Sequence, residues 1–524
     1  MSQRLTWLAL AGAVVPTIAI IVLTLVQTGG IWEYALDDVY IHLAMSEGVA
    51  RGEYGVNVGE AASASSSILF SYLLAPLAGT WLHVWWPLVL GFLALVWAGW
   101  LWGGVLAEAY EADPTLPNWF LPVLALGAPT FMHFPAMAVI GMEHILHIAV
   151  TLAALLGLLR FARTGHMNLL LVAGLALNPL LRFEGMAILL LGVAVLALRG
   201  RMLAAFGILA LGALPLAAHF GYMTSLGLDL LPNSVNAKAA VAGGGDREIG
   251  ISDPSRVDQI ILSWRLALVS TSGRMIAAAI AIMAFGLLAF RRQITGTYAL
   301  IGWMAVIAMT GHILLGAVNW FYRYEVYVFT FAVGAGIVLL ARTQMPARGA
   351  ILTAFLLAFG YGGAHYLGAG FSGAPQGSAA IAAQQRQMAR FVDDFWQAPI
   401  AVNDLGHVSF NNPHYVLDLW GLANARALRS RQSGDDPLWA DKLADEYGVE
   451  LAMIYPHWLG ESAGPDWVHL ADLVVTIPHA TLGGPVVSIY ATGSEAVPRV
   501  EAALAAFGLT LPHTTELKII EVSQ

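Results

Sequence analysis

The feature that most restricts the fold of this sequence is a series of long apolar segments in its first 369 residues. About twelve are present, at 5–28, 67–80, 84–107, 118–132, 143–162, 168–182, 184–199, 202–222, 273–290, 297–317, 323–341 and 349–369. A helix needs about 20 apolar residues to cross a bilayer. Only 11% of the 524 residues are charged, whereas soluble domains have about 25%. The sequence therefore predicts a polytopic α-helical membrane protein.

Basic residues predict which ends of these segments face the cytoplasm, because cytoplasmic loops are enriched in arginine and lysine. Arg4 precedes the first segment, which is expected to remain as an anchor. Alternate loops carry Arg160, Arg163, Arg199, Arg201, Arg291, Arg292, Arg342 and Arg348. The loop 29–66 is therefore expected outside. Glu143 is also expected outside, so an even number of crossings must separate it from this loop. Three segments lie between them, 67–80, 84–107 and 118–132, and one of these, with 67–80 favoured, is therefore expected not to cross. About eleven transmembrane helices and an outer C-terminus result.

The composition changes near residue 370, which predicts two domains, a transmembrane module at 1–369 and an extracytoplasmic domain at 370–524. Strands are expected at 400–404, 416–419, 451–455 and 486–490, and helices at 379–395, 439–447 and 499–507. Alternating strands and helices are typical of a small α/β domain. Its size of about 150 residues is within the usual range for domains.

The first outer loop holds the strongest candidates for chemistry, the adjacent carboxylates of Asp37 and Asp38. Ionisable residues at a membrane boundary are a functional hypothesis by default, although a solvated loop holding two acids is the plain alternative. Tyr40 and His42 follow as candidates for substrate binding. The apolar positions after Asp38 suggest a short amphipathic helix at 39–50 that lies along the membrane surface.

The other outer loops add charged and polar residues that are far apart in sequence. They are Glu143, His144, Arg182, Glu184, Asn233, Lys238, Arg323 and Glu325. One interpretation is that they pair with each other in structural salt bridges. The other is a binding site, in which Arg182, Lys238 and Arg323 hold a phosphate and the remaining members contact substrate. A divalent metal ion held by carboxylates is a third element left open.

Several classes of protein lack support in the sequence. There is no cysteine, which excludes thiolate metal sites, cysteine nucleophiles and disulfides. There is no Walker-type phosphate loop and no HExxH zinc motif. No nucleic-acid partner is expected; the expected partners are membrane lipids, a lipid-linked sugar donor and an acceptor.

Short motifs along the whole chain are similar to those of one known family. In the first loop they are Asp37-Asp38-Val39-Tyr40-Ile41, Ala50-Arg51-Gly52, Tyr54-Gly55-Val56-Asn57 and Gly59-Glu60. Later ones are Gly141-Met142-Glu143, Arg182-Phe183-Glu184-Gly185, Leu231-Pro232-Asn233-Ser234, Ala237-Lys238, Arg323-Tyr324-Glu325, Asp404-Leu405-Gly406 and Asp418-Leu419-Trp420-Gly421-Leu422. Together they resemble bacterial type C (GT-C) polyprenyl-phosphate-sugar glycosyltransferases, in particular the mycobacterial terminal arabinofuranosyltransferase group.

This resemblance implies a multispanning enzyme that uses a lipid-phosphate sugar at the outer face and inverts the anomeric carbon. An acid of the first loop would be the catalytic base, a role that falls on Asp37 or Asp38. Many relatives have an arginine where this chain has Ala44 and a proline where it has Val58. Their aromatic-Thr-Ser entry to the next helix is replaced here by the serines of 63–67. These departures leave the donor sugar unassigned.

The leading hypothesis is thus a glycosyltransferase of the bacterial inner membrane, with its active site on the periplasmic side. It would transfer a sugar from a polyprenyl-phosphate donor to a cell-envelope glycan, lipid or protein. A transporter or flippase of a lipid-linked or anionic solute is an alternative, although no internal repeat typical of transporters is evident. A non-catalytic envelope assembly protein is another, and it should tolerate replacement of Asp37.

Overall fold

The computed structural model of the protein describes residues 1–230, 232–233, 261, 264–265, 267–318, 320–344 and 348–521. Within these residues the chain forms a helical bundle followed by one mixed β-sheet. The predicted class, a polytopic helical membrane protein with a C-terminal α/β domain, is confirmed.

The bundle is built from helices joined mostly by short connections. Its helices are α1 (Ser2–Gln27), α2 (Asp38–Ala50), α3 (Ile68–Leu74), α4 (Trp86–Ala112), α5 (Phe120–Phe131), α6 (Phe134–Val139), α7 (His144–Thr164), α8 (Leu169–Leu181), α9 (Gly185–Leu198), α10 (Met202–Ser225), α11 (Thr271–Ala289), α12 (Gly296–Leu315), α13 (Val326–Ala341) and α14 (Arg348–Gly368). Helix α7 is almost wholly buried, and α4, α8 and α13 are its main neighbours. The central position of α7 fixes the residues at its N-terminus, which belong to the site described below.

In the described part of the chain, seven helices are long and apolar enough to cross a bilayer. Five shorter apolar helices accompany them, at Ile68–Leu77, Phe120–Phe131, Leu169–Leu181, Gly185–Leu198 and Val326–Ala341. At 1.5 Å per residue, α3 alone rises about 10 Å, far less than the roughly 30 Å of a bilayer core. This agrees with the expectation that segment 67–80 does not cross. The total of about eleven crossings stays a prediction.

Charged residues gather at the two ends of the bundle, as the arginine pattern predicts. At one end, Arg163 bonds to Glu108 and Glu111, each with an N–O distance of 2.9 Å. The guanidinium of Arg342 lies over the ring of Tyr298 at 3.5 Å. The first loop and the sheet domain lie at the opposite end.

The C-terminal sheet has the strand order β2-β1-β3-β5-β4-β6. Its strands are β1 (Ile400–Val402), β2 (Val416–Asp418), β3 (Leu451–Ile454), β4 (Val468–Val475), β5 (Val486–Ala491) and β6 (Thr515–Ile519). The first three pair in parallel and the rest are antiparallel. The accompanying helices are α15 (Ala374–Ala383), α16 (Gln385–Phe391), α17 (Gly406–Ser409), α18 (Ala425–Ser433), α19 (Trp439–Glu446), α20 (Pro456–Leu459) and α21 (Val497–Gly508).

Helix α2 corrects one expectation about the first loop. The helix forms where the apolar spacing predicts it, but it does not lie along a surface. Its residues are buried on nearly every side, because α2 packs against α3 of the bundle and α17 of the sheet domain. The first loop is therefore the layer between the two parts of the molecule.

Candidate active site

The adjacent side chains of Asp37 and Asp38 point to different parts of the molecule. Asp37 is 7% exposed, and its two carboxylate oxygens accept the backbone N–H groups of Gly406 at 2.7 Å and His407 at 2.8 Å. The side chain of Asp38 is 29% exposed, and its Oδ1 lies 3.0 Å from Nη2 of Arg323. The structure therefore separates two acids that the sequence could not distinguish.

On the side of the sheet domain, Asp37 is hydrogen-bonded to a second carboxyl group, that of the half-buried Asp404. Oδ2 of Asp404 accepts a hydrogen bond from Nε2 of Gln385 at 2.8 Å and lies 3.2 Å from the Tyr455 hydroxyl. Burial raises the pKa of Asp37 well above its usual range, and the neighbouring charge of Asp404 raises it further. Burial also raises the pKa of Asp404. Two carboxylates in one desolvated site favour the retention of a proton.

Glycine at position 406 is a condition of this contact. A Cβ atom there would overlap both the backbone carbonyl and the carboxylate of Asp37. The two N–H donors can approach the acid only because no side chain stands between them.

On the side of the bundle, Asp38 is fixed by the buried guanidinium of Arg323. Nη1 of Arg323 also contacts Sδ of Met142 at 3.1 Å, and Nη2 donates to the Tyr324 hydroxyl at 3.0 Å. The residues just before Arg323, at positions 320–322, have φ values of 42°, 62° and 56°. Left-handed backbone costs about 1–2 kcal/mol per non-glycine residue. The backbone conformation that places Arg323 in the site must therefore be stabilised by the surrounding fold.

A second buried guanidinium, that of Arg182, also lies near the Tyr324 ring. The centroid of that ring is 5.4 Å from Arg182 and 5.1 Å from Arg323. Arg182 is 5% exposed and bonds to Oε1 of Glu143 at 2.5 Å and to Oε1 of Glu184 at 2.9 Å. Nε2 of His144 is 3.2 Å away. Burial alone would raise the pKa of Glu184, but the ion pair with Arg182 outweighs it and lowers this pKa to about 2.

His42 connects helix α2 to this cluster. Its Nε2 lies 3.5 Å from Oε2 of Glu143, and its Nδ1 is 3.0 Å from the Ser65 hydroxyl. Glu325, fully buried, immediately precedes α13 and follows the Arg323-Tyr324 pair. The structure thus brings Asp38, His42, Glu143, His144, Arg182, Glu184, Arg323 and Glu325 to one end of the bundle. Much of the cluster consists of mutual ion pairs, which is the structural alternative that the sequence left open.

Two other predicted site residues, Tyr40 and Asn233, lie elsewhere. The Tyr40 hydroxyl donates to the carboxylate of Glu33, and its ring stacks on His407 at 4.1 Å. The backbone N–H of Asn233 donates to the Ser63 hydroxyl at 3.0 Å, and its side chain bonds to the carbonyl of Leu422 at 3.2 Å. Both residues therefore help to seat the sheet domain. Lys238 lies outside the described residues.

Further contacts of the same interface were not singled out as site residues by the sequence. The Asn57 side chain bonds to both the N–H and the C=O of Val416, at 2.9 and 3.0 Å, as a neighbouring strand would. Glu60 accepts from Tyr415 at 2.8 Å and from Asn424 at 2.9 Å. The only signal was that Asn57 and Glu60 lie within the first-loop motif and Asn424 follows the last motif. Glu33 and His407, 3.6 Å apart, had no signal.

The described residues do not fit a metal centre. Among them, no group of three or more histidine, aspartate or glutamate side chains is arranged to hold a cation. The carboxylates of the site are instead directed at arginines and backbone N–H groups.

Comparisons with known proteins support the fold. A family model described as a domain of unknown function (DUF8728) matches residues 379–490. No curated protein matches the chain. The apo crystal structure of the Archaeoglobus fulgidus oligosaccharyltransferase is similar with a TM-score of 0.50 and 12% identity, covering 98% of this chain and 76% of that one. The complex of AglB from the same organism with an inhibitory peptide and a dolichol-phosphate gives a TM-score of 0.47 at 12% identity, with the same coverage.

At this identity the likeness concerns the fold and not the substrate. It spans both the bundle and the sheet domain, because it covers nearly the whole of this chain. The likeness does not extend to arabinofuranosyl specificity, which stays a prediction. The chain has the fold of the Archaeoglobus fulgidus oligosaccharyltransferase.

Proposed function

We propose that this protein is a membrane glycosyltransferase that takes a sugar from a polyprenyl-phosphate donor and transfers it to a cell-envelope glycan, lipid or protein. The observation that carries the proposal is the state of Asp38, a partly exposed carboxylate held by the buried Arg323 where the bundle meets the sheet domain. The GT-C fold supports it. The proposed location is the bacterial inner membrane, with the site on the periplasmic side.

Asp38 is the proposed catalytic base. Its carboxylate would accept the proton of an acceptor hydroxyl while the hydroxyl oxygen bonds to the anomeric carbon. The bond from that carbon to the donor phosphate breaks on the opposite face, so the configuration inverts and the polyprenyl phosphate leaves with the electron pair. Asp37 is unsuited to this role because both its oxygens are engaged by backbone N–H groups and it is buried.

The cations have a related role in this proposal. Arg182 and Arg323 are buried and each is paired with a carboxylate, so direct contact with a donor phosphate would require one of these ion pairs to open. They would stabilise a leaving phosphate only once such a pair opens, because the four acids of the cluster outnumber its two arginines. Lys238 is the third proposed phosphate contact, on sequence grounds.

The test is sugar transfer in detergent or nanodiscs from polyprenyl-phosphate donors of several sugars. Asp38→Asn should lower transfer at least a hundredfold, the scale of general-base catalysis, with donor binding retained. Asp229→Asn is the matched control, because Asp229 is an exposed acid following α10. Full activity of the Asp38 variant would overturn the assignment of the base. Solute flux without transfer from any donor would favour the transporter alternative.

A further inference from the structure

We propose that Asp37 and Asp404 form an acid pair that holds the sheet domain on the first loop by sharing one proton, and that this pair positions Asp38. Both are positioning residues, since Asp37 is buried and the carboxyl group of Asp404 is directed at protein groups. The positioning role rests on the proposed function of Asp38, whereas the shared proton does not.

The first step of the argument concerns Asp37, which acts as a double acceptor. Its Oδ2 receives the N–H of Gly406 and its Oδ1 the N–H of His407, at 2.7 and 2.8 Å. A carboxylate accepts two such bonds well only in its ionised form, because a bound proton occupies one of the acceptor directions. The geometry therefore favours a negative charge on Asp37.

The second step concerns Asp404, which is anchored within its own domain. One of its oxygens, Oδ2, accepts from Nε2 of Gln385 at 2.8 Å. The Tyr455 hydroxyl lies 3.2 Å from the same oxygen, but its one proton goes to Gln384 at the shorter distance of 2.6 Å. Asp404 follows β1 and is separated by one residue from Gly406, so the same turn supplies both the N–H donors and the second acid. The side chains of Asp37 and Asp404 are hydrogen-bonded to each other, which two carboxyl groups can be only when they hold a proton between them.

The third step is the environment of the pair, which determines how it titrates. Asp38 follows Asp37 directly and its charge disfavours a second ionised acid at Asp404. Glu33 and His407, a residue of α17, lie 3.6 Å apart. On the side of β3, the neighbour of the pair is the Tyr455 hydroxyl. Arg323 is directed to Asp38 on the bundle side. The acids nearest the pair thus favour keeping the proton.

The sign of the pH dependence follows. The pKa of an exposed aspartate is near 3.8, and the pKa of both members is raised in the folded protein. The folded state therefore binds more protons than the unfolded state between 3.8 and the raised value. The domain contact is strongest at the acidic end of this window, weakens as pH rises through it, and is constant above it.

The experiment is hydrogen exchange of the full chain in nanodiscs across pH, corrected for intrinsic exchange rates. The readout is protection of the Gly406 and His407 amides, which requires no sugar transfer. We expect wild-type protection to fall as pH rises. Asp404→Asn should keep the protection and lose this pH dependence, because an asparagine amide donates to Asp37 as a protonated acid would. Asp466→Asn, at an exposed acid of the same domain, should behave as wild type.

Asp37→Asn should lose protection by about tenfold or more, because its amide group can accept only one of the two N–H bonds. Equal loss in the Asp37 and Asp404 variants, or pH-independent protection in the wild type, would overturn the shared proton. If Asp37→Asn does not fold, the pH series of the wild type and of Asp404→Asn still tests the shared proton. Asp38→Asn removes a charge that helps the pair to keep its proton, so the fall in protection should move to lower pH but should still occur, even when transfer is lost. Failure of the proposed function is therefore seen separately.

Discussion

The two faces of the first loop are held in different ways. On the face toward the bundle, ionisable side chains meet ionisable side chains, as in Asp38 with Arg323 and His42 with Glu143. On the face toward the sheet domain, side chains of the loop also bond to backbone groups, as in Asn57 with Val416 and Asp37 with Gly406. Charged pairs fix individual side chains, whereas backbone contacts fix the position of a whole segment. The bundle face thus holds the ionisable groups proposed to react, and the sheet face fixes the position of the loop.

The largest effect should come from breaking the bundle face. Arg182→Leu leaves the buried Glu143 and the half-buried Glu184 without their shared cation. Removing one partner of a buried ion pair costs about 3–5 kcal/mol, and a strong loss of the free energy of unfolding is expected in denaturant titrations. The double variant with Glu143→Gln should lose less than the sum of the single variants, because one uncompensated charge is also removed. Additive losses would show that the cluster does not act as a unit.

The sheet face should respond less. Asn57→Ala leaves the N–H and C=O of Val416 unpaired, and each unsatisfied buried group costs about 1–3 kcal/mol. We expect a loss of about 2–4 kcal/mol, with faster hydrogen exchange confined to β2 and its neighbours. Val58→Ala, at the exposed adjacent position, is the control. Exchange spread evenly over the bundle would contradict the local role of Asn57.

The smallest of the three effects should follow Gly406→Ala. The added methyl group overlaps Asp37 and pushes the α17 turn away, at a cost of about 1–3 kcal/mol. Gly221→Ala is matched, because a Cβ atom there meets nothing within 4 Å. The melting temperature of the Gly406 variant should fall and that of the Gly221 variant should not. Equal melting temperatures would show that the turn can shift without cost.

The sequence predicted the parts of the fold that depend on local pattern. Apolar runs gave the helices of the bundle, and short β-rich runs gave β1, β2, β3 and β5. Strands β4 and β6 were missed because they carry charged residues, such as Asp472 and Lys518, which interrupt the apolar pattern expected of a strand. Helix α2 was predicted, but its burial depends on packing against a domain distant in sequence.

The candidate site divides in the same way. Charge and position brought together most of the cluster around Arg182 and Arg323. The distinction between Asp37 and Asp38 was out of reach, since it depends on the turn at Gly406, some 370 positions further along the chain. The pairing of Asp37 with Asp404 likewise arises only when the two domains meet.

The Gly406 turn also has a consequence for how such sequences can diverge. Position 407 offers its backbone N–H to Asp37, so any residue except proline could supply that bond, although His407 has additional contacts of its own. Position 406 offers the same kind of bond but admits no side chain. Across homologues, variation should therefore be wide at 407 and nearly absent at 406. In distant sequences, this docking contact should therefore be recognised by a glycine two residues after the acid at position 404. The identity of the residue at position 407 should not help to find it.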